Sequence, residues 1–197
     1  SSVLMDVSAL PDEQVEPVLS EICSYAHERG ATVEIEVENI LGVEDGVGTD
    51  EVLRSCTVDE LVDIAKRTGA DLLAPQLGTA HGLYKSDPVL QPERAGEFAA
   101  RTDIPIVLHG GTGLSDADFA TFIEAGVSKI NISTDLKVAY IEAAQRFVTE
   151  NFDPSCGSIG IDSWKSKEPL ALIQAQHDAV RDMAKRYMRI FQSKGRA

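Results

Sequence analysis

The sequence predicts an α/β fold built on a parallel β-sheet. Two observations point to it. Five short β-branched runs alternate with amphipathic helical segments, and the polar residues Glu36, His81, His109 and Asn131 all fall at or just past the C-terminal end of a run. That rim is where ligands bind both in (β/α) barrels and in open α/β sheets, so placement alone leaves the two architectures open. At 197 residues the chain has room for one domain with a sizeable core.

The first run is Val3-Leu4-Met5. Pro11-Asp12-Glu13 opens a helix whose apolar positions are Val15, Val18, Leu19, Ile22 and Ala26, ending near Gly30. The second run, Val33-Glu34-Ile35-Glu36-Val37, leads into a Gly- and Asp-rich loop. Thr57 and Glu60 form a capping box for a helix through Leu61, Ile64 and Ala65 that stops at Gly69. Leu72-Leu73-Ala74 is the third run, with a helix over 93–100. Ile104-Pro105-Ile106-Val107-Leu108 is the fourth; Ser115 and Asp118 box the next helix, which ends at Gly126. The fifth run is Lys129-Ile130-Asn131-Ile132, and Ser133 or Thr134 caps a helix over 135–150. After a loop at 151–168, Pro169 starts a long amphipathic helix. Its stripe runs through Leu170, Ile173, His177, Val180, Ala184, Tyr187 and Phe191.

The charge balance excludes some function classes. With 32 acidic against 18 basic residues, the net charge is −14 and no basic patch offsets it, so nucleic acid is not an expected partner. No apolar run is long enough to span a bilayer, and no basic-then-apolar leader opens the chain, so no membrane partner is expected. Cys23, Cys56 and Cys156 are too few and too scattered for a disulfide framework or a zinc knuckle, which favours a cytoplasmic location.

His81 and His109 each follow an apolar run and precede glycine, in Gly78-Thr79-Ala80-His81-Gly82 and Leu108-His109-Gly110-Gly111-Thr112-Gly113. Imidazoles at neighbouring strand ends are suited to zinc; two polar strand ends with turn glycines fit the spacing equally well. His27 reads as a helix-end surface residue and His177 as a core or interface residue on its stripe. Glu34 and Glu36 share one side of their strand, and Glu36, nearer the rim, is placed to meet a cation or a substrate hydroxyl. Glu44 and Asp45 form either a mobile acid–base flap or a solvated acidic loop. Gly110-Gly111-Thr112-Gly113, Asn131-Ile132-Ser133-Thr134 and Gly82 with Lys85 are backbone-rich segments that can nest a phosphate without net positive charge.

Together, these segments resemble the class II, metal-dependent ketose-bisphosphate aldolases, the fructose- and tagatose-bisphosphate aldolase family. The resemblance is carried by Val3-Leu4-Met5-Asp6-Val7-Ser8, Val33-Glu34-Ile35-Glu36, Gly42-Val43-Glu44-Asp45-Gly46, Gly78-Thr79-Ala80-His81-Gly82-Leu83-Tyr84-Lys85, Val107-Leu108-His109-Gly110-Gly111-Thr112-Gly113-Leu114 and Lys129-Ile130-Asn131-Ile132-Ser133-Thr134-Asp135-Leu136-Lys137. It implies a (β/α)8 TIM barrel of which this chain supplies strands four to eight and a long C-terminal helix. Residues 1–150 are then the C-terminal portion of the barrel, 151–168 a loop, and 169–197 a helix packing on the barrel or a partner subunit. The implied reaction is reversible cleavage of a ketose 1,6-bisphosphate to dihydroxyacetone phosphate and glyceraldehyde 3-phosphate, with zinc stabilising the enediolate.

The resemblance also implies roles. His81 and His109 are zinc ligands, and Glu36 is the acidic residue near zinc or another divalent metal. Glu44 is the flap base, and Asn131 is the amide on the enediolate. Gly82, Lys85, Gly110, Gly111, Thr112, Asn131, Ser133 and Thr134 form the phosphate site, whose carbonyls also hold a monovalent cation in some members. A homodimer or homotetramer is the family expectation. The family's catalytic aspartate and third zinc histidine precede the matched region, so the chain is expected to be a fragment or a processed form. Alternatives are an aldolase for another phosphorylated keto-sugar and a non-catalytic aldolase-like subunit. Glu38-Asn39, Leu41 and Thr112 depart from the commoner family pattern.

Overall fold

A computed structural model describes residues 1–44, 47–82, 88–153, 155 and 169–195, with the side chains of Glu44 and Val47 outside that description. The chain divides into two compact units, Ser1–Ile132 and Ser133–Ala197.

In the first unit β1 (Ser2–Asp6), β2 (Thr32–Glu36), β5 (Leu72–Leu73), β6 (Ile106–Leu108) and β7 (Val127–Ile130) form one all-parallel sheet. Its spatial order, β1-β2-β5-β6-β7, is the chain order. Each crossover therefore steps the same way, as in the winding of a barrel; a doubly wound sheet reverses direction at a switch point. Helices α1 (Asp12–His27), α2 (Val58–Thr68), α3 (Pro92–Arg101) and α4 (Asp116–Glu124) follow the strands in turn. Both expected capping boxes form: Thr57 accepts from the Glu60 N–H while Glu60 accepts from the Thr57 N–H, and Ser115 and Asp118 do the same. Gly69 ends α2 in the left-handed region.

One face of β2 makes the core. Val33, Ile35 and Val37 are fully buried, as are Leu19, Leu61, Leu73, Phe98, Phe119 and Leu108. The neighbouring edge strand β1 leaves Val3 and Leu4 44 % and 49 % exposed.

The stretch after β2 is more ordered than its composition suggests. β3 (Gly42–Glu44) and β4 (Val47–Thr49) form an antiparallel hairpin, pairing Gly42 with Thr49 and Glu44 with Val47. The signal for it was Asp45-Gly46 between valines, the dipeptide that favours tight hairpins.

The second unit contains α5 (Thr134–Asn151) and α6 (Pro169–Ile190). They are joined by a hydrogen bond from the Tyr187 hydroxyl to Asp135 and one from Gln176 to the Tyr140 carbonyl. The α6 stripe differs from expectation. Gln176 and Tyr187 are its buried residues, whereas His177, Leu170 and Ile173 are exposed. Periodicity locates an apolar face but not what covers it. Of the expected loop at 151–168, residues 154 and 156–168, with Cys156, lie outside the described residues.

Candidate metal centre

Opposite the core face of β2, the alternation places Glu34, Glu36 and Glu38 in a row, all three at most 3 % exposed. Buried carboxylates need partners, and each has them. Glu38 holds Arg94 through both oxygens at 3.0 Å and accepts the Cys56 and Gln76 N–H groups at 2.8 and 3.1 Å. Glu36 accepts the Ile40 N–H at 3.1 Å and faces His109 Nδ1 at 3.0 Å. Glu34 lies 2.7 Å from His109 Nε2, 2.6 Å from Lys129 Nζ and 2.9 Å from Asn131 Nδ2.

His109 follows β6, with 4 % of its side chain exposed, and its ring stacks on His81 with centroids 5.6 Å apart. One ligand atom each from Glu36, His81 and His109 lies within 4.8 Å of the others. Two histidines and a carboxylate suit a divalent metal such as zinc, with a position left for a further ligand. The orientation of His109 fits as well. Nε2 is committed to Glu34, which leaves Nδ1 on the side of Glu36, and a carboxylate on the far ring nitrogen is the usual support of a metal-binding histidine.

Burial alone would lower the His109 pKa, but the hydrogen bonds and charges of Glu34 and Glu36 outweigh it and raise it to about 9. For Glu34, burial works upward; His109 and Lys129 reverse it and hold the carboxyl down at about 2. A divalent cation on Nδ1 must displace a proton. Metal uptake below about pH 9 is therefore expected to release a proton, with apparent affinity rising as pH approaches about 9. Calorimetry in buffers of different ionisation enthalpy measures both. In chelator-treated protein the raised His109 pKa contributes stability that is full below about 6.5 and lost as pH rises through about 9. The Glu34 contribution is present above about 4.5 and lost as pH falls through about 2.

The hairpin is tied to His81. Its backbone N–H donates to the Leu41 carbonyl at 2.6 Å, and a side chain at Gly42 (φ +102°) would place Cβ 2.4 Å from the His81 carbonyl oxygen. Gly110 is required in the same way: at φ +64° its Cβ would lie 2.4 Å from the Ala80 carbonyl oxygen, so the two histidine loops touch through backbone. Gly111 packs on Ile132 and Phe119, and Gly82 lies against Val43. Thr112 is buried. Asn131, just past β7, donates its backbone N–H to the Leu108 carbonyl and so stands beside His109.

Ser133 and Thr134 open the second unit, where Ser133 caps α5 without a side-chain hydrogen bond. Lys85 and Asp45 lie outside the described residues, and Glu44 is described through its backbone in β3 alone. His27 behaves as read, sitting half-exposed against Asp71 at 2.8 Å.

Sequence reasoning passed over Lys129 and Arg94. Lys129 is two positions before Asn131, and the strand period of two was the signal that both share a face. Arg94 explains the unusual Glu38. Asn39 beside it donates to the Glu51 carbonyl and accepts from Leu53, both at 2.8 Å, anchoring the chain that leaves the hairpin. A cavity of about 660 Å³ opens between the hairpin and the loop carrying His81, with Glu38, Asn39, Gln76, Thr79 and Arg94 in its walls. Arg94→Met leaves Glu38 buried without its cation. It is expected to destabilise the protein by about 3–5 kcal/mol, read by denaturant titration.

Comparison with known proteins matches residues 1–196 to the family model described as fructose-bisphosphate aldolase class-II. The chain is similar to the fructose-bisphosphate aldolase of Staphylococcus epidermidis, 37 % identical over 153 residues that cover 78 % of this chain and 53 % of that protein. It is 34 % identical over 197 residues to the Geobacillus stearothermophilus fructose-bisphosphate aldolase, covering all of this chain and 64 % of that one. Among solved structures, the YdjI aldolase of Escherichia coli K12 matches with a TM-score of 0.74 at 30 % identity, over 100 % of this chain and 62 % of its own. The Campylobacter jejuni fructose-bisphosphate aldolase shares the fold, with a TM-score of 0.74 at 21 % identity over 98 % of this chain and 60 % of its own. The chain thus spans between about half and two thirds of these relatives' lengths.

Proposed function

This chain belongs to the class II fructose-bisphosphate aldolase family, and we propose that the full-length protein reversibly cleaves a ketose 1,6-bisphosphate, of the fructose or tagatose type, to dihydroxyacetone phosphate and glyceraldehyde 3-phosphate. The observation that carries this reading is the convergence of Glu36 from the end of β2, His81 from the loop after β5 and His109 from the end of β6, with Asn131 alongside. The five strands are taken as strands four to eight of a (β/α)8 barrel; their sequential order and the open apolar edge at Val3 and Leu4 support that. The same reading assigns residues 1–150 to the barrel and 169–197 to a C-terminal helix. The exposed Leu170, Ile173 and Met188 on α6 support a homodimer or homotetramer. No helix among the described residues is long and apolar enough to cross a membrane.

Glu36, His81 and His109 would hold a divalent cation, zinc in the first instance, which when bound supplies Lewis acidity toward the substrate's carbonyl and hydroxyl oxygens. The chain's own residues do the rest. Glu34 holds His109 by Nε2 and keeps Nδ1 turned to the centre. Asn131 offers an amide N–H where negative charge gathers on a substrate oxygen. Glu44, carried on the hairpin, takes the proton from the carbon of dihydroxyacetone phosphate and returns it. Gly82, Gly110, Gly111, Thr112 and Asn131, with Lys85, receive a phosphate, the start of α5 at Ser133 and Thr134 is suited to the same anion, and backbone carbonyls nearby suit a monovalent cation. The family's catalytic aspartate and third histidine are taken to come from elsewhere in the full-length protein.

The test is a coupled assay on zinc-loaded full-length protein, in which dihydroxyacetone phosphate release is followed by its reduction with NADH. Turnover of fructose or tagatose 1,6-bisphosphate, abolished by chelation and restored by zinc, is the expected result. Failure with both sugars by metal-replete, folded protein overturns the proposal. A second substrate class, another phosphorylated keto-sugar such as a deoxy-keto acid phosphate, is favoured by one feature. The departures Glu38 and Asn39 line the cavity beside His81, so the panel includes it.

A further inference from the structure

We propose that Lys129 is a positioning residue for this chemistry: it fixes the Asn131 side-chain amide so that Nδ2, rather than the carbonyl oxygen, is held against Glu34 on the Nε2 side of His109. The proposal rests on the aldolase reading for its kinetic part and on geometry alone for the orientation itself.

Asparagine presents an acceptor at one end of its amide and a donor at the other, so its use in a site depends on which end is turned inward. Lys129 Nζ lies 2.6 Å from Asn131 Oδ1 and 2.6 Å from Glu34 Oε2. An ammonium can only donate, so the atom it touches must be the amide oxygen. Nδ2 is thereby directed to the other side, 2.9 Å from Glu34 Oε1 and 2.9 Å from His109 Nε2. His109 already donates from Nε2 to Glu34 Oε1 at 2.7 Å and cannot accept from the amide. Nδ2 therefore donates to Glu34, the carboxylate that holds His109 by Nε2 while Nδ1 faces Glu36.

Lys129, Glu34 and Asn131 close a ring of hydrogen bonds in which both ends of the amide are specified. Without the ammonium the amide can turn over, setting Oδ1 against the Glu34 carboxylate and loosening its hold on His109. Lys129 is outside the cluster of Glu36, His81 and His109 and its side chain is 42 % exposed, and in its absence the buried Glu34 keeps His109 and Asn131 as donors.

The experiment compares full-length wild-type protein with Lys129→Met, Lys129→Arg, Asn131→Ala and the Lys129→Met/Asn131→Ala double variant. Lys129→Met is expected to lower kcat by about 10–100-fold, the range typical of partners that orient a site residue, with KM changed little. In the double variant the Lys129→Met effect should vanish, because the residue through which it acts is gone. Lys129→Arg, a donor at similar reach, should recover most of the rate. A readout independent of turnover is the side-chain amide signal of Asn131 in asparagine-labelled ¹⁵N spectra, identified by its loss in Asn131→Ala. Lys129→Met should shift it, and Lys129→Arg should leave it near its place. Equal Lys129→Met losses with and without Asn131, or an unmoved amide signal, overturn the proposal. Wild-type protein that cleaves no sugar overturns the aldolase reading instead, while the amide signal still decides the role of Lys129.

Discussion

His109→Ala is expected to abolish stoichiometric zinc binding in the full-length protein and to lower ketose-bisphosphate cleavage by about a thousandfold or more. The magnitude follows from the several kcal/mol of transition-state charge stabilisation that a Lewis-acidic metal provides, at 1.36 kcal/mol for each factor of ten. His109 is the candidate ligand on which the rest converge. Its two nitrogens face two different buried glutamates, and its ring stacks on His81. Removing it takes away a ligand and leaves Glu34 and Glu36 without the cation between them. Lys129, Asn131 and the Ile40 N–H still hold those carboxylates, so the stability loss should fall at or below the roughly 3–5 kcal/mol seen when a buried pair is broken. Metal analysis, a zinc titration and thermal unfolding separate the two effects. Chelation of wild-type protein should be reversed by zinc; His109→Ala should not be rescued at any zinc concentration that leaves the protein soluble.

Glu44→Gln is expected to lower kcat by about 10²–10⁴-fold, the usual contribution of a positioned acid–base group, while zinc content stays at the wild-type level. Glu44 ends β3, the hairpin strand that follows directly from Leu41 and its hydrogen bond to the His81 backbone. That connection places the backbone of Glu44 on an arm beside the loop that carries His81. Exchange of the carbon-bound hydrogen of dihydroxyacetone phosphate with solvent reports the proton step directly and should fall in parallel. Asp45→Asn, one position on, should change kcat by less than tenfold. Equal losses for the two variants would assign the effect to hairpin charge.

The elements bounded by local chemistry were legible from sequence. Thr57 with Glu60, and Ser115 with Asp118, are capping pairs three residues apart, and both form as written. The alternation of Val33, Ile35 and Val37 with Glu34, Glu36 and Glu38 fixed which side chains share a face before any partner was known. The partners themselves were not legible. Glu34 meets His109 and Lys129 at separations of 75 and 95 residues, and Glu38 meets Arg94 at 56. Nothing local encodes such pairs, so the acidic row could be recognised as needing cations without showing which ones. The α6 stripe is divided in a related way. Tyr187 of the stripe packs on α5 with Gln176 from outside it, while Leu170, Ile173 and His177 stand exposed. The β3–β4 hairpin reads as loop in the sequence because two three-residue strands with a glycine in each offer little β-branched pattern.

The central claim is that Glu36, His81 and His109 hold one divalent metal. The most direct measurement is a pair of diffraction data sets above and below the zinc edge from crystals of zinc-loaded full-length protein. The predicted result is a single strong anomalous peak within about 2.0–2.2 Å of His109 Nδ1, a ring nitrogen of His81 and a Glu36 carboxylate oxygen, with Glu34 still on His109 Nε2. Metal-replete crystals with no peak among these three residues, or with the peak on the Nε2 side beside Glu34, would contradict it.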